Sequence, residues 1–175
     1  MIFSVLEAAT PILLAALGGL LTERAGVLNI ALEGMILTGA FWAVVAVSAG
    51  GNTAAGIVAG IAAGALLGGL FVVLALGLRA NIFIVGLGIN LLSLGVNQVI
   101  STWIFGTSGV IQLASDFRLL GAVSGEIPGL FGSIFLGHSV VTYLAWLMVP
   151  ATALFLRRHP LGLRIRVAGS APDLL

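Results

Sequence analysis

The sequence predicts an all-α, polytopic membrane protein with about five transmembrane helices, and three observations lead there. Of the 175 residues, 60% are hydrophobic and only 7% are charged, and the mean hydropathy is +1.24. A soluble domain carries about 25% charged residues, so this chain has too little charge to clothe a water-facing surface. Apolar runs recur at lengths close to the roughly 20 residues that a helix needs to cross a bilayer. The cations, all of them arginine, gather at the ends of those runs.

The first run, residues 5–21, is taken as a span because Met1, Ile2 and Phe3 lack the basic stretch of a cleaved signal peptide. Glu7 lies close enough to its outer end to reach water. The second run, 28–48, has a conflicted start. Beginning after Glu33 leaves it short, whereas beginning earlier puts a carboxylate inside the membrane. A broken or partly re-entrant entry, with Gly26 and Gly34 as flexible points, reconciles the two. Residues 54–78 and 82–104 form the third and fourth spans, joined to their neighbours by tight connections at 50–53 and 79–81. A long loop, 106–137, carries Asp116, Arg118, Glu126 and Pro128. The fifth span, 139–156, contains Pro150, expected to kink it. Tyr143, Trp103 and Trp146 fit an aromatic belt or ordinary packing.

Five spans put the two ends on opposite sides of the membrane. With the C-terminus inside, Arg24, Arg79, Arg157, Arg158, Arg164 and Arg166 fall in the cytoplasm and only Arg118 falls outside. The arginine bias therefore favours an N-out, C-in orientation.

Polar residues in such a chain are costly, roughly 2.5–3.5 kcal/mol for each charge at a helix centre, so their positions are informative. Glu23, Arg24, Asn29 and Glu33 stand against or inside the first two apolar runs. On a helix, Asn29 and Glu33 would share a face, and the carboxylate could bind substrate, cap a half-helix or pair with an arginine. Gly56, Gly60, Gly64 and Gly68 repeat the small-xxx-small spacing of close helix packing. Gly86, Asn90, Ser93, Asn97 and Ser101 fall on one side of the fourth span as a polar stripe. That stripe is either a wall of a hydrated path for an uncharged polar solute or a set of interhelical hydrogen bonds.

Other chemistry finds little support. The absence of cysteine excludes disulfides, thiolate catalysis and Cys-type metal sites. His138 and His159 lack partners at metal-ligand spacing, so neither metal nor cofactor is expected. Gly106-Thr107-Ser108-Gly109 is similar to the Gly-x-Ser-Gly of rhomboid-type intramembrane serine proteases, with His138 as a conceivable base. It follows a span rather than opening a helix within the membrane.

After the fifth span comes RRHPLGLRIRVAG, in which Pro160 ends the membrane helix, Gly162 allows a sharp turn and the arginines form a basic anchor. Here the chain becomes recognisable. ATPILLAALGGLLTERAGVLNIALEGMILTGAF, with Glu23, Arg24, Gly26, Asn29, Glu33 and Gly34, resembles the membrane subunits of ABC importers of the branched-chain amino acid and ribose type, and within these the nucleoside or simple-sugar permeases. ANIFIVGLGINLLSLG resembles their central span, and IPGLFGSIFLGHSVVTYLAWLMVP followed by HPLGLRIRVAG resembles their outer loop, next span and coupling region. The resemblance covers most of the chain, which looks like the N-terminal half of a larger permease bundle. Asp173 stands where such permeases carry a positive charge.

The resemblance implies a permease subunit that performs no covalent chemistry. Residues 1–156 would form a transmembrane half-domain and residues 157–175 a cytoplasmic coupling segment. Its expected partners are a second permease subunit, a cytoplasmic ABC ATPase, an extracellular substrate-binding lipoprotein, a small solute and the lipid bilayer, with no nucleic acid. Pro160, Gly162, Arg164, Arg166 and Gly169 would couple to the ATPase. Asn90, Ser93, Asn97 and Ser101 would face the solute. The alternative is a non-transporting fragment that associates with a homologous permease through its glycine ladder.

Overall fold

A computed structural model of the chain describes residues 2–106 and 140–170. They form six helices: α1 (Ile2–Arg24), α2 (Leu32–Ser48), α3 (Thr53–Val72), α4 (Ile82–Phe105), α5 (Val140–Arg158) and α6 (Pro160–Ser170), with a π-turn, Val73–Gly77, extending α3. There is no strand among the described residues. Asp116, Arg118, Glu126 and Pro128 of the long loop, Thr107 and Ser108, His138 and Asp173 all lie outside the described residues.

Three stretches are long and apolar enough to cross a membrane: Val5–Arg24, Thr53–Gly77 and Ile82–Phe105. They correspond to the first, third and fourth expected spans. Helix α2 is apolar but has only 17 residues. At 1.5 Å per residue it reaches about 26 Å, short of a hydrocarbon core of about 30 Å. Helix α5 has 19 residues, the last two of which are Arg157 and Arg158. Large apolar side chains such as Ile12, Leu66 and Leu91 are about 70% exposed, a surface suited to lipid and unsuited to water.

The chain divides into two compact units, one containing α2, α3 and α4 and the other α1, α5 and α6. In the first, the helix ends are written in the sequence. Asn52 caps α3, its side chain accepting from Ala55 N at 2.9 Å. Asn81 caps α4, accepting from Phe83 N at 2.9 Å and Ile84 N at 3.3 Å. Each satisfies helix-start donors that would otherwise lack partners. Gly106 ends α4 in the left-handed conformation. The two tight connections fall where the sequence places them, with Gly50 at φ +88° and Arg79 at φ +52°. In the π-turn, Leu78 N–H reaches Val73 O, five residues back, at 2.9 Å.

Helix α3 packs along α2. A Cβ on Gly60 would lie 2.9 Å from the Gly39 carbonyl oxygen, and one on Gly56 would lie 3.2 Å from the Ala43 carbonyl oxygen. Lower on the ladder the fit loosens. Cβ atoms at Gly64 and Gly68 would meet only Met35 atoms, at 3.8 and 3.9 Å. Contacts that descend α2 while ascending α3 make the two helices antiparallel.

In the other unit, Thr10 Oγ1 of α1 pairs with Thr142 Oγ1 of α5 at 3.2 Å, both side chains being buried. Hydroxyls in apolar surroundings need such partners. Helix α5 closes with His159 N–H bonded to Phe155 O, and α6 opens with Leu163 N–H bonded to His159 O. Pro160, the first residue of α6, has no N–H to lose at a position where none is needed.

Three local expectations change. Gly162 allows the sharp turn between α5 and α6 from inside α6 rather than from the turn itself. It is helical within α6 and buried, because a side chain there would run into the Phe155 carbonyl and Leu156 Cα of α5. Gly34 is not a flexible point, since it lies inside α2. Asn29 and Glu33 share no helix face, because Asn29 belongs to the irregular segment that precedes α2. Gly26 alone, at φ +82°, provides the break.

Candidate solute site in helices α2, α3 and α4

From Gly86 to Asn97 the polar stripe of α4 meets α2 and the segment that precedes it. A Cβ on Gly86 would lie 2.7 Å from Ile30 Cβ, so the two elements meet closely there. One turn on, Asn90 Oδ1 accepts from Gly34 N at 2.8 Å and Asn90 Nδ2 donates to Ile30 O at 3.0 Å. Ser93 follows, its Oγ 2.7 Å from where a Gly34 Cβ would stand. Asn97 Nδ2 then donates to Thr38 Oγ1 at 3.0 Å. Ser101 continues the stripe and is buried. Partners ascend both helices together, so α2 and α4 run in the same direction.

The start of α2 depends on this contact. Ala31, its N-cap residue, has no side chain able to bond a helix-start N–H. Asn29 Oδ1 accepts from Ala31 N at 3.0 Å, and Asn90 accepts from Gly34 N across the helix interface. Two asparagines thus take the place of one capping residue. Glu33 lies in the first helical turn and is exposed, where a negative charge is favoured by the helix dipole.

Beyond Asn90 the hydrogen bonding is incomplete. Ser93 Oγ and Asn97 Oδ1 are buried without a hydrogen-bond partner. In a membrane interior such a group costs several kcal/mol. Both residues line a cavity of about 420 Å³ between the three helices, together with Thr38, Trp42, Ala59, Ala63 and Leu92. Sequence reading missed Thr38 and Trp42, although Gly34, Thr38 and Trp42 repeat every four residues and so form a matching stripe on α2.

The motif residues of the other unit gather elsewhere. Glu23 and Arg24, both exposed at the end of α1, line a pocket of about 510 Å³ with Leu163, Arg166, Val167, Gly169 and Ser170 of α6. A Cβ on Gly169 would meet the Arg24 carbonyl and lie 2.9 Å from Gly26 N. The glycines at these two positions therefore let α6 touch the backbone just past α1. Pro160 and Arg164 are exposed on α6. Among the described residues there is no group of three or more His, Cys, Asp or Glu side chains able to hold a metal.

Comparison with known proteins decides the family. The model of the branched-chain amino acid transport system permease component matches residues 1–175. This chain belongs to that permease family. The permease is 36% identical over 173 residues to TsgC13 of Haloferax volcanii, a candidate glucose ABC transporter permease, with 96% of this chain and 51% of the relative covered. It is 34% identical over 174 residues to the guanosine ABC transporter permease NupQ of Bacillus subtilis, covering 94% and 54%. The nucleoside ABC transporter permease NupC of Lactococcus lactis is 28% identical over 191 residues, covering 94% and 54%. The chain thus spans about half the length of the curated relatives it matches. No solved structure gives a significant match. The described residues are all helical, and the family is one of multi-pass transport subunits of the plasma membrane.

Proposed function

We propose that this chain acts as a membrane-spanning permease subunit of an ABC importer for a small, uncharged polar solute, a nucleoside or a simple sugar. The observation that carries the reading is the pair of buried oxygens, Ser93 Oγ and Asn97 Oδ1, that lack protein partners beside a cavity walled by three apolar helices. The relatives named for glucose, guanosine and nucleoside transport support the same class of cargo.

In this reading the solute path follows the α4 stripe. Asn90 sets the position of α2, while Ser93, Asn97 and Ser101 border the path. The chain crosses the membrane five times, N-out and C-in, with α2 and α5 as its shorter crossings. Residues 1–156 form the transmembrane half-domain and residues 157–175 the cytoplasmic coupling segment. A separate ABC ATPase hydrolyses ATP against that segment, where Pro160 and Gly162 set the course of α6 and Arg164 and Arg166 face the ATPase. Gly169 carries the movement to the end of α1 through its contact beside Arg24 and Gly26. A second permease subunit completes the path, and an extracellular binding lipoprotein delivers the solute. Selectivity at the membrane stage rests on few polar groups, so the external protein supplies most of it.

The test is uptake of labelled guanosine and labelled glucose by cells carrying the complete transporter. Ser93→Ala combined with Asn97→Leu should lower uptake of the transported one by about tenfold or more, with the subunits still purifying together. Undiminished uptake would remove the stripe from the path.

A further inference from the structure

We infer that the pocket between the end of α1 and α6 holds the headgroup of a zwitterionic membrane phospholipid, of the phosphatidylethanolamine kind, with its phosphate on Arg24 and Arg166 and its ammonium on Glu23. This goes beyond the transport reading above and shares with it only the place of α6 at the membrane surface. Three features lead there.

The first is the pattern of charge. Glu23, Arg24 and Arg166 line one pocket of about 510 Å³, yet no ion pair joins the carboxylate to either guanidinium. Glu23 and Arg24 are consecutive in α1, so their side chains point about 100° apart and do not face each other. Arg166 enters from α6. A pocket that holds opposite charges apart suits a ligand that carries opposite charges apart. A simple anion would leave Glu23 unanswered, and a simple cation would leave both arginines unanswered. Phosphate and ammonium joined in one headgroup answer all three.

The second is the division of donors and acceptors. A guanidinium only donates, through a planar fork that fits two phosphate oxygens, and a carboxylate only accepts. Ser170 also lines the pocket, and its Oγ donates to Val167 O at 3.0 Å. Toward a ligand that hydroxyl has only lone pairs to offer. Glu23 and Ser170 are thus the acceptors that the N–H groups of an ammonium require, and Arg24 and Arg166 are the donors that a phosphate requires.

The third is depth. Arg24 is the last residue of the membrane-crossing stretch Val5–Arg24, which sets the pocket where hydrocarbon gives way to headgroups. Helix α6 has 11 residues, about 17 Å, too short to cross and long enough to lie at that level. Leu163 and Val167 line the same pocket and are exposed. They form an apolar rim for the glycerol ester and first methylenes of a lipid, from which a water-soluble ligand would gain nothing.

Native mass spectrometry of the full chain, released from nanodiscs of equal phosphatidylethanolamine and phosphatidylglycerol content, tests this with no ATPase present and so apart from the coupling reading. One phosphatidylethanolamine should be retained in several-fold preference. Glu23→Gln should abolish the preference and leave the two lipids retained alike, because the phosphate contacts survive. Arg24→Gln combined with Arg166→Gln should lower retention of both several-fold. Arg164→Gln, at an exposed position of α6 outside the pocket, should change neither. Each replaced side chain is exposed, and unchanged circular dichroism confirms that the helices persist. Preferred retention of phosphatidylglycerol would overturn the zwitterionic headgroup. Retention that none of the pocket variants alters, or no retained lipid at all, would refute the site. Phosphatidylethanolamine displaced when the ATPase is added would give the pocket to that subunit instead.

Discussion

The side-chain amide of Asn90 stands where a backbone hydrogen bond to Gly34 would be if α2 began one residue earlier. Its oxygen takes the Gly34 N–H at 2.8 Å and its nitrogen gives to the Ile30 carbonyl at 3.0 Å. Residues 30 and 34 are four apart, the spacing of an α-helical bond. An asparagine from α4 thus completes a helix to which it does not belong.

Replacing Asn90 by leucine should therefore strand the Gly34 N–H and the Ile30 carbonyl together. Each unsatisfied buried group costs about 1–3 kcal/mol, so the loss should exceed that of one ordinary cap. Thermal unfolding followed by circular dichroism in detergent measures it. A melting temperature equal to that of the parent chain would mean that the bridge contributes nothing.

Gly34 is constrained from the other side of the same contact. A Cβ there would lie 2.7 Å from Ser93 Oγ, 2.9 Å from Asn90 Oδ1 and 3.1 Å from Asn90 Cα. Gly34→Ala should destabilise the chain by about 1–3 kcal/mol, the usual range for overpacking. Adding Ser93→Gly should restore part of the loss, since it removes one obstacle and leaves Asn90 in place. Full restoration, or none, would contradict this geometry.

Much of this was legible in the residues alone. The spacing of Asn90, Ser93, Asn97 and Ser101 gave the stripe, because helical period and polarity are both local properties. The broken entry to the second helix was legible for a similar reason, as a carboxylate at position 33 and a glycine at 26 are incompatible with one long apolar helix. What Asn90 binds was not legible, because its partners are backbone atoms 56 and 60 residues away. A backbone group carries no signature in the sequence. How Gly162 allows its turn was not legible either, because glycine serves equally in a turn and in close packing, and only the proximity of Phe155 and Leu156 places it in the second role.

The glycine ladder makes a graded prediction. Alanine at Gly60 meets a backbone carbonyl, which cannot step aside. At Gly56 the nearest atom, 2.7 Å away, is Val47 Cγ2, which can move. Gly60→Ala should cost most, about 1–2 kcal/mol, and Gly56→Ala less. Gly64→Ala and Gly68→Ala should be nearly neutral. Equal losses at all four positions, read by thermal unfolding, would mean that the ladder packs evenly along α2.

Helix α6 is held by two glycines at its ends. Gly162→Ala should push its start from α5, and Gly169→Ala should push its end from the backbone beyond Arg24. Either change should speed tryptic cleavage after Arg164 and Arg166 several-fold, because proteases act on chain that has come away from its packing. Gly69→Ala, where a Cβ meets nothing within 4 Å, serves as the control. Cleavage as slow as in the control would show α6 to be fixed by other contacts.

The π-turn at Val73–Gly77 bears on how a membrane helix can change length over generations. A wide turn contains one residue more than the α-turn it interrupts. Losing that residue tightens the turn into ordinary helix, and the capped start of α4 at Asn81 provides a fresh beginning just downstream. The same loss inside the Gly56–Gly60 contact would rotate half of α3 by about 100° against α2. Single-residue insertions and deletions that function are therefore expected to collect at the π-turn. The span can drift in length there as the bilayer around it thickens or thins, while the face that packs on α2 keeps its register.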